Sequence, residues 1–288
     1  MTKINRKSIV ALTKQEKGSI AVYVIVSMIS FCLILSIVYF STIAIRKEQI
    51  RTEMKIKEVY EKTNYQQEIE DTYVKENLIA YFDGTNNTGE GHSSTTTLWK
   101  DLSGNNNDGL LSRSLDNNKF YWGENCIILS NNGTNGATYI ETPINLNNKE
   151  RTIYFTIDAS NLLGSIWGDT NSKNENGLFC YYNFIANRKA PISIQNRINY
   201  EFSRNGIYNY VITVSKNKMK FYENGNLIDE TNNTIGLTTS NNLRLLSNYH
   251  SNQNATNLKM YNFMVYDRVL TEEEIKKNYN IVNEKLIK

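Results

Sequence analysis

Acidic side chains offer the first chemistry to weigh. Cleaving a glycosidic bond requires two carboxyl groups held at a fixed separation on either side of it. Beyond residue 76 the only acidic residues two positions apart are Glu272 and Glu274, and they fall where the sequence predicts the start of a helix. Asp229 and Glu230 are adjacent, so a strand would turn them to opposite faces. Histidine chemistry is as sparse, because His92 and His250 are the only two histidines. Neither stands in the His-x-x-x-His or Cys-x-x-Cys spacing that a metal site or a zinc-activated water needs. The chain is therefore expected not to be an enzyme.

Binding chemistry has more candidates. Asp101, Asn105 and Asp108 surround Gly104 and Gly109, an oxygen-rich set suited to a hard cation such as calcium, with Asp83 joining if the loops meet. The same residue types serve a tight loop that bonds only to itself, so both readings stand. No other cofactor is expected. A ligand site built from an aromatic face with polar groups beside it is expected at Trp167 and Asp169, within Gly164-Ser-Ile-Trp-Gly-Asp169, and at Tyr249 and His250 in an Asn-rich loop. Trp99 and Trp122 lie beside strand-like segments and are expected in the core.

The elements that must position these residues are mostly strands. Apolar or alternating stretches occur at 78–82, 120–129, 138–141, 152–158, 178–185, 198–202, 208–214, 218–222, 243–246 and 258–266, separated by Asn/Gly/Ser clusters. Many short strands at such spacing predict an all-β sandwich or jelly roll. Alternation into Asn224-Gly225 predicts a hairpin whose turn needs positive φ at both residues. Thr271-Glu-Glu-Glu274 reads as a capping box opening a final helix to about Leu286, with Ile275, Tyr279, Val282 and Leu286 on its buried face. Cys126 and Cys180 are either two buried thiols or one bridge.

The N-terminal quarter is different. From Ile20 to Ile45 the chain runs 26 residues without a charge, longer than the roughly 20 needed to cross a bilayer and longer than a secretory signal's apolar region. Residues 46–76 lack Gly and Pro and are rich in Glu, Lys, Arg and Gln, which predicts a helical stalk. Basic residues flank both ends of the span, so the positive-inside count is silent. A short cytoplasmic tail at residues 1–19 is expected because a long domain follows the other end. Of 42 asparagines only Asn5 and Asn64 precede residue 77. Residues 1–76 carry 12 basic and 9 acidic side chains, and residues 77–288 carry 20 of each. A large domain with balanced formal charge lacks the clustered basic surface that nucleic-acid binding requires, so no nucleic-acid partner is expected.

Taken in order, Leu78-Ile-Ala-Tyr-Phe-Asp83-Gly84, Leu98-Trp99-Lys-Asp101-Leu-Ser-Gly104, Tyr222-Glu-Asn-Gly225 and Val265-Tyr266-Asp267-Arg268-Val269-Leu270-Thr271 resemble the laminin-G-like jelly rolls of the concanavalin A-like lectin and glucanase superfamily. The resemblance covers residues 77–288. It implies a two-sheet antiparallel jelly-roll sandwich with a short C-terminal helix, an extracellular location, and glycan or protein ligands, sometimes held through calcium. More weakly, Glu16-Lys17-Gly18-Ser19 before a long apolar helix resembles a type IV prepilin N-terminus, which implies processing between Gly18 and Ser19. Ser19 and Tyr23 stand where that family has an aromatic residue and a Glu. The expected protein is a single-pass bacterial surface molecule: a tail at 1–19, a transmembrane helix at 20–45, a stalk at 46–76, and a non-catalytic recognition domain at 77–288 outside the cell. A pilin-like subunit displaying the jelly roll and a divergent surface glycoside hydrolase are the alternatives.

Overall fold

The structure, a computed structural model, describes residues 6–112, 115, 119–130, 138–169, 177–189, 194–238, 241–247 and 256–287. The chain forms two compact units, Met1–Gln67 and Glu68–Lys288. Helix α1 runs without a break over Arg6–Thr72. Its segment Val22–Tyr60 is long and apolar enough to cross a membrane, and no side chain within its most apolar stretch is buried against protein. The few hydroxyls there bond back along the helix: Ser30 to the Val26 carbonyl at 2.9 Å, Ser36 to Cys32 at 2.8 Å and Thr42 to Val38 at 2.8 Å. An apolar surrounding leaves a hydroxyl no other partner, and this local bond removes most of the cost of placing it there.

The second unit is a sandwich of two antiparallel sheets. In the first sheet, β14 (Asn226–Asn232), β13 (Lys218–Glu223), β12 (Arg204–Val214), β7 (Arg151–Leu163), β16 (Thr256–Tyr266), β5 (Ile127–Leu129) and β4 (Phe120–Trp122) lie side by side, and β1 (Leu78–Asp83) pairs with β16. The second sheet has the order β11 (Ile194–Asn199), β10 (Phe184–Lys189), β9 (Gly177–Tyr181), β8 (Ser165–Gly168), β15 (Asn242–Leu245), β6 (Ile140–Asn145), β3 (Gly109–Leu111) and β2 (Leu98–Trp99). Strand β7 shows why the layers form. Ile153, Phe155 and Ile157 point into the sandwich, while Tyr154 joins a separate cluster on the outer face. Phe155 meets Trp167 of the opposite sheet edge-on at 5.9 Å, and Trp167 meets Phe263 at 6.1 Å. Each such side chain taken fully out of water contributes roughly 1.5–3 kcal/mol.

Helix α2 (Glu272–Ile287) covers part of the outer face of the first sheet. The predicted capping box is present: the Thr271 hydroxyl accepts from Glu274 N at 3.2 Å and Glu274 accepts from Thr271 N at 2.8 Å. Ile275 and Val282 are buried, and Leu286 packs at the margin of the same cluster. Asn278, not singled out by the apolar pattern, is also buried. Its amide donates to the Tyr266 hydroxyl at 2.9 Å and accepts from Val74 N at 3.1 Å, which ties the incoming segment Tyr73–Val74 to helix and sheet. The hairpin turn has φ of 49° at Asn224 and 76° at Gly225, as the Asn-Gly signal requires.

Three expectations need correction. The stretch 120–129 is two strands, because the chain reverses at Gly123, whose N bonds the Cys126 carbonyl at 2.8 Å. The stretch 178–185 is likewise the hairpin β9–β10, reversing at Tyr182-Asn183. Residues 165–168, expected to turn Trp167 toward a ligand, are the interior strand β8.

Candidate functional site

Alternation along β9 sends Leu178 and Cys180 into the core, so Phe179 and Tyr181 take the other face of the second sheet, where Phe179 is buried at 5% exposed and Tyr181 is half-buried. Their neighbours across the sheet follow from the register. Phe179 pairs with Ala186 of β10, which pairs with Arg197 of β11. In the other direction Phe179 pairs with Gly168 of β8, then Arg244 of β15, then Glu141 of β6, then Leu110 of β3 and Leu98 of β2. One outward row thus crosses all eight strands. A parallel row places Asn199, Phe184 and Tyr181 side by side.

Two cation and ring assemblies stand on this face. Arg197 lies over the Phe184 ring at 3.8 Å and donates from Nε to Asn199 Oδ1 at 2.6 Å, with Phe179 and Tyr181 at 5.6 and 5.4 Å from Phe184. Arg244 lies over Tyr139 at 3.9 Å and donates from Nε to Glu141 at 2.7 Å. Burial raises the Tyr181 phenol, with Tyr182 beside it adding to the effect, so it stays a neutral donor. Between these assemblies Ala186, Phe179 and Gly168 are buried, so the middle of the row is covered and only its two ends reach solvent. Leu98 and Leu110, both exposed, end the row in an apolar edge. Ring faces beside guanidinium, amide and carboxylate groups can stack on apolar faces of a ligand and hydrogen-bond its hydroxyls. A groove of about 190 Å³ beside the Asp158–Lys259 pair, near the first sheet, is smaller than the roughly 300–1,000 Å³ of ordinary ligand pockets.

The residues expected to bind ligand are placed otherwise. Trp167 is fully buried between the sheets, because β8 lies inside its sheet with its ring turned toward Phe155 and Phe263. Asp169 is 1% exposed and belongs to a buried pair: Arg151 donates to its Oδ2 at 2.6 Å and Leu178 N to its Oδ1 at 2.6 Å. Neither presents a surface to a ligand. Tyr249 and His250 lie outside the described residues. The aromatic pair Phe179 and Tyr181 was detectable as two rings two positions apart, but only once Leu178–Ile185 is divided into a hairpin.

The oxygen cluster does not fit a cation. Asp101 Oδ1 accepts from Tyr81 N and Ser103 N, both at 2.9 Å, and its Oδ2 accepts from Ser103 Oγ and Asn107 N, both at 2.9 Å. Asp108 accepts from Asp101 N at 2.9 Å and from the Lys100 ammonium at 3.0 Å, a charge that opposes a metal ion. Asn105 turns its amide nitrogen to Leu78 O at 2.9 Å and Ser103 Oγ at 3.1 Å. The carboxylates bond to their own loop and to strand β1, and Asp83 is committed elsewhere. Among the described residues no group of three His, Cys, Asp or Glu stands as a metal site would.

Nucleophiles and paired acids fare similarly. Cys126 and Cys180 are free and buried, and burial pushes the Cys126 thiol up to about 11 and Cys180 well above its ordinary value. His92 is exposed, with Nδ1 at 2.9 Å from the Gly84 carbonyl. Glu274 is held by Arg268 through two bonds of 2.7 and 2.8 Å, and Glu272 pairs with Lys220 at 3.1 Å, so the acidic pair serves the helix start. Gly18 and Ser19 lie within α1.

The sequence profile of the concanavalin A-like lectin/glucanases superfamily matches residues 129–276. Among solved structures, the receptor binding domain of botulinum neurotoxin C/D mosaic serotype is 16% identical with a TM-score of 0.53, the match covering 72% of this chain and 52% of that one. The binding domain of Paraclostridial Mosquitocidal Protein 1 is 20% identical at a TM-score of 0.50, with the same coverages. The botulinum neurotoxin serotype D ligand binding domain, determined in complex with N-acetylneuraminic acid, is 15% identical at 0.52, covering 72% and 51%. The chain therefore spans about half the length of the structures it matches, and the likeness is one of fold. No curated protein matches it in sequence.

Proposed function

Since the chain belongs to the concanavalin A-like lectin/glucanases superfamily, we propose that it is a membrane-anchored surface recognition protein that binds glycan ligands, without turnover, on the outer face of its second sheet. The observation that carries this reading is the ring and guanidinium assembly of Tyr181, Phe184 and Arg197, backed by the buried Phe179. Arg197 and Arg244 are four strand spacings apart, about 19 Å, with buried residues between them, so the two ends of the row act as separate contact points. The solved relatives are binding domains, and one is described with a bound sugar acid, which supports recognition over catalysis.

In this reading residues 1–19 are a cytoplasmic tail, 20–45 span the bilayer, 46–76 form a stalk, and 77–288 face outward. The exposed apolar side chains of α1, such as Phe31 and Phe40, would then contact lipid. A glycan array probed with the detergent-solubilised full chain tests the ligand class. Binding to saccharides is expected, weakened about 5- to 30-fold by Phe184→Ala or Arg197→Ala, the equivalent of a desolvated cation–ring contact of roughly 1–2 kcal/mol. An empty array, or hits indifferent to both substitutions, would remove glycans from this face and leave a protein ligand as the alternative.

A further inference from the structure

Strand β1 ends at Asp83, and the last turn of α2 carries Lys285, 202 positions later in the chain. The amine sits on Asp83 Oδ2, with the lysine side chain 7% and the aspartate side chain 5% exposed. Two facts distinguish this contact from an ordinary ion pair. First, the other carboxylate oxygen is held by two donors, Thr85 N at 2.8 Å and Thr85 Oγ1 at 2.7 Å. Second, Oδ2 also receives the Tyr81 hydroxyl at 2.7 Å. One oxygen is thus bound as an oxyanion would be, and the other stands between an amine and a hydroxyl able to pass it a proton.

We infer that Asp83 and Lys285 form an intramolecular amide bond, a covalent clasp between the first strand and the last helix of the domain. Lys285 Nζ attacks Cγ of Asp83, and the negative charge that develops on Oδ1 is met by the two Thr85 donors. The Cγ–Oδ2 bond then breaks. Starting from the ammonium and the carboxylate, two hydrogens leave Nζ for Oδ2, with Tyr81 as the relay, and Oδ2 departs as water. Nothing is oxidised or reduced, and no co-reactant is needed. Burial lowers the Lys285 ammonium to about 7, which brings the nucleophilic free amine within reach near neutral pH. The low water content of the site favours the product, because a buried pair of charges is replaced by a neutral amide. This inference is independent of what the second sheet binds.

The test is the intact mass of the full chain, purified in detergent and then denatured. The linked protein is lighter than its sequence by one water, and trypsin releases a branched species joining 76–100 to 278–288, since a modified Lys285 resists cleavage. Lys285→Arg keeps a positive charge but cannot form the bond, so its mass matches its sequence while its circular dichroism stays β-rich. Asp83→Asn gives a second route: it loses one ammonia and reaches the same product mass as the wild type, independently of whether the arginine variant folds. The full sequence mass in the wild type, before and after a day at neutral pH, with both tryptic peptides recovered unjoined, would overturn the inference.

Discussion

The buried pair Arg151–Asp169 supplies the most exposed prediction. Both side chains are almost free of solvent, at 1% and 2%, and the contact is 2.6 Å. Arg151→Met would leave the Asp169 carboxylate bonded to Leu178 N but deprived of the guanidinium, and Asp169→Leu would leave the guanidinium buried and also orphan Leu178 N. Losing one partner of a buried pair costs about 3–5 kcal/mol. That is a large share of a total stability of roughly 5–15 kcal/mol. The double variant removes both charges and leaves the buried Leu178 N–H without its carboxylate, at about 1–3 kcal/mol, while the Lys149 carbonyl that loses Arg151 Nε is on an exposed residue. It should therefore be more stable than either single variant. Urea titration of the full chain, followed by tryptophan fluorescence, reads this directly because Trp99, Trp122 and Trp167 are all buried in the sandwich. With a slope of about 2–3 kcal/mol/M, each single substitution lowers the midpoint by roughly 1–2.5 M, and the double by about 0.3–1.5 M. Additive losses in the double variant would refute the reasoning, since they would mean that the two side chains act on stability separately. Ligand binding lost by Asp169→Leu with an unchanged midpoint would instead return Asp169 to a ligand site.

Two further predictions concern the frame around the site. Glu274 is held down to about 2, first by its bonds to Arg268, so its contribution is complete above the unfolded value of about 4.3 and is lost as pH falls from there toward 2. Its exposure limits the effect to at most about 1 kcal/mol, and Glu274→Gln should flatten the acid limb of a stability–pH curve; an unchanged limb would deny the cap its charge. At Gly84 a Cβ would stand 2.3 Å from the backbone oxygen of Asn125, so Gly84→Ala must displace main chain. A loss of roughly 1–3 kcal/mol follows, about 2–10 °C in melting temperature, and a melt within about 1 °C of wild type would contradict this close approach.

Much of the fold is readable where the information is local. The Asn224-Gly225 turn, the Thr271 to Glu274 cap and the uncharged run 20–45 each depend on residues within one turn, one hairpin or one helix, and each is present as expected. The errors also have local causes. Phe120 to Leu129 and Leu178 to Ile185 lack a Gly-Asn or Pro break strong enough to mark the reversals at Gly123 and Tyr182-Asn183, so two hairpins read as two strands. Once 178–185 is taken as one strand, Phe179 and Tyr181 are assigned no partner and their face cannot be recognised. Trp167 shows the opposite failure: beside Asp169 it suggests an exposed ligand-facing ring, yet pairing with β9 and β15 makes the segment an interior strand and turns the ring inward.

The sequence by itself determined the classes: a charge-free helix, a strand-rich domain, a capped final helix, and a scarcity of paired acids and metal ligands. Tertiary structure alone decided which residues share a place. Arg197, Phe179, Arg244 and Glu141 come from four strands and meet in one row because of register, and Asp83 reaches Lys285 across 202 positions because α2 folds back over the first sheet. The physical reason is that alternation along a strand fixes only which face a side chain takes. Its neighbours on that face are set by strand order and register, which depend on packing the whole sandwich at once.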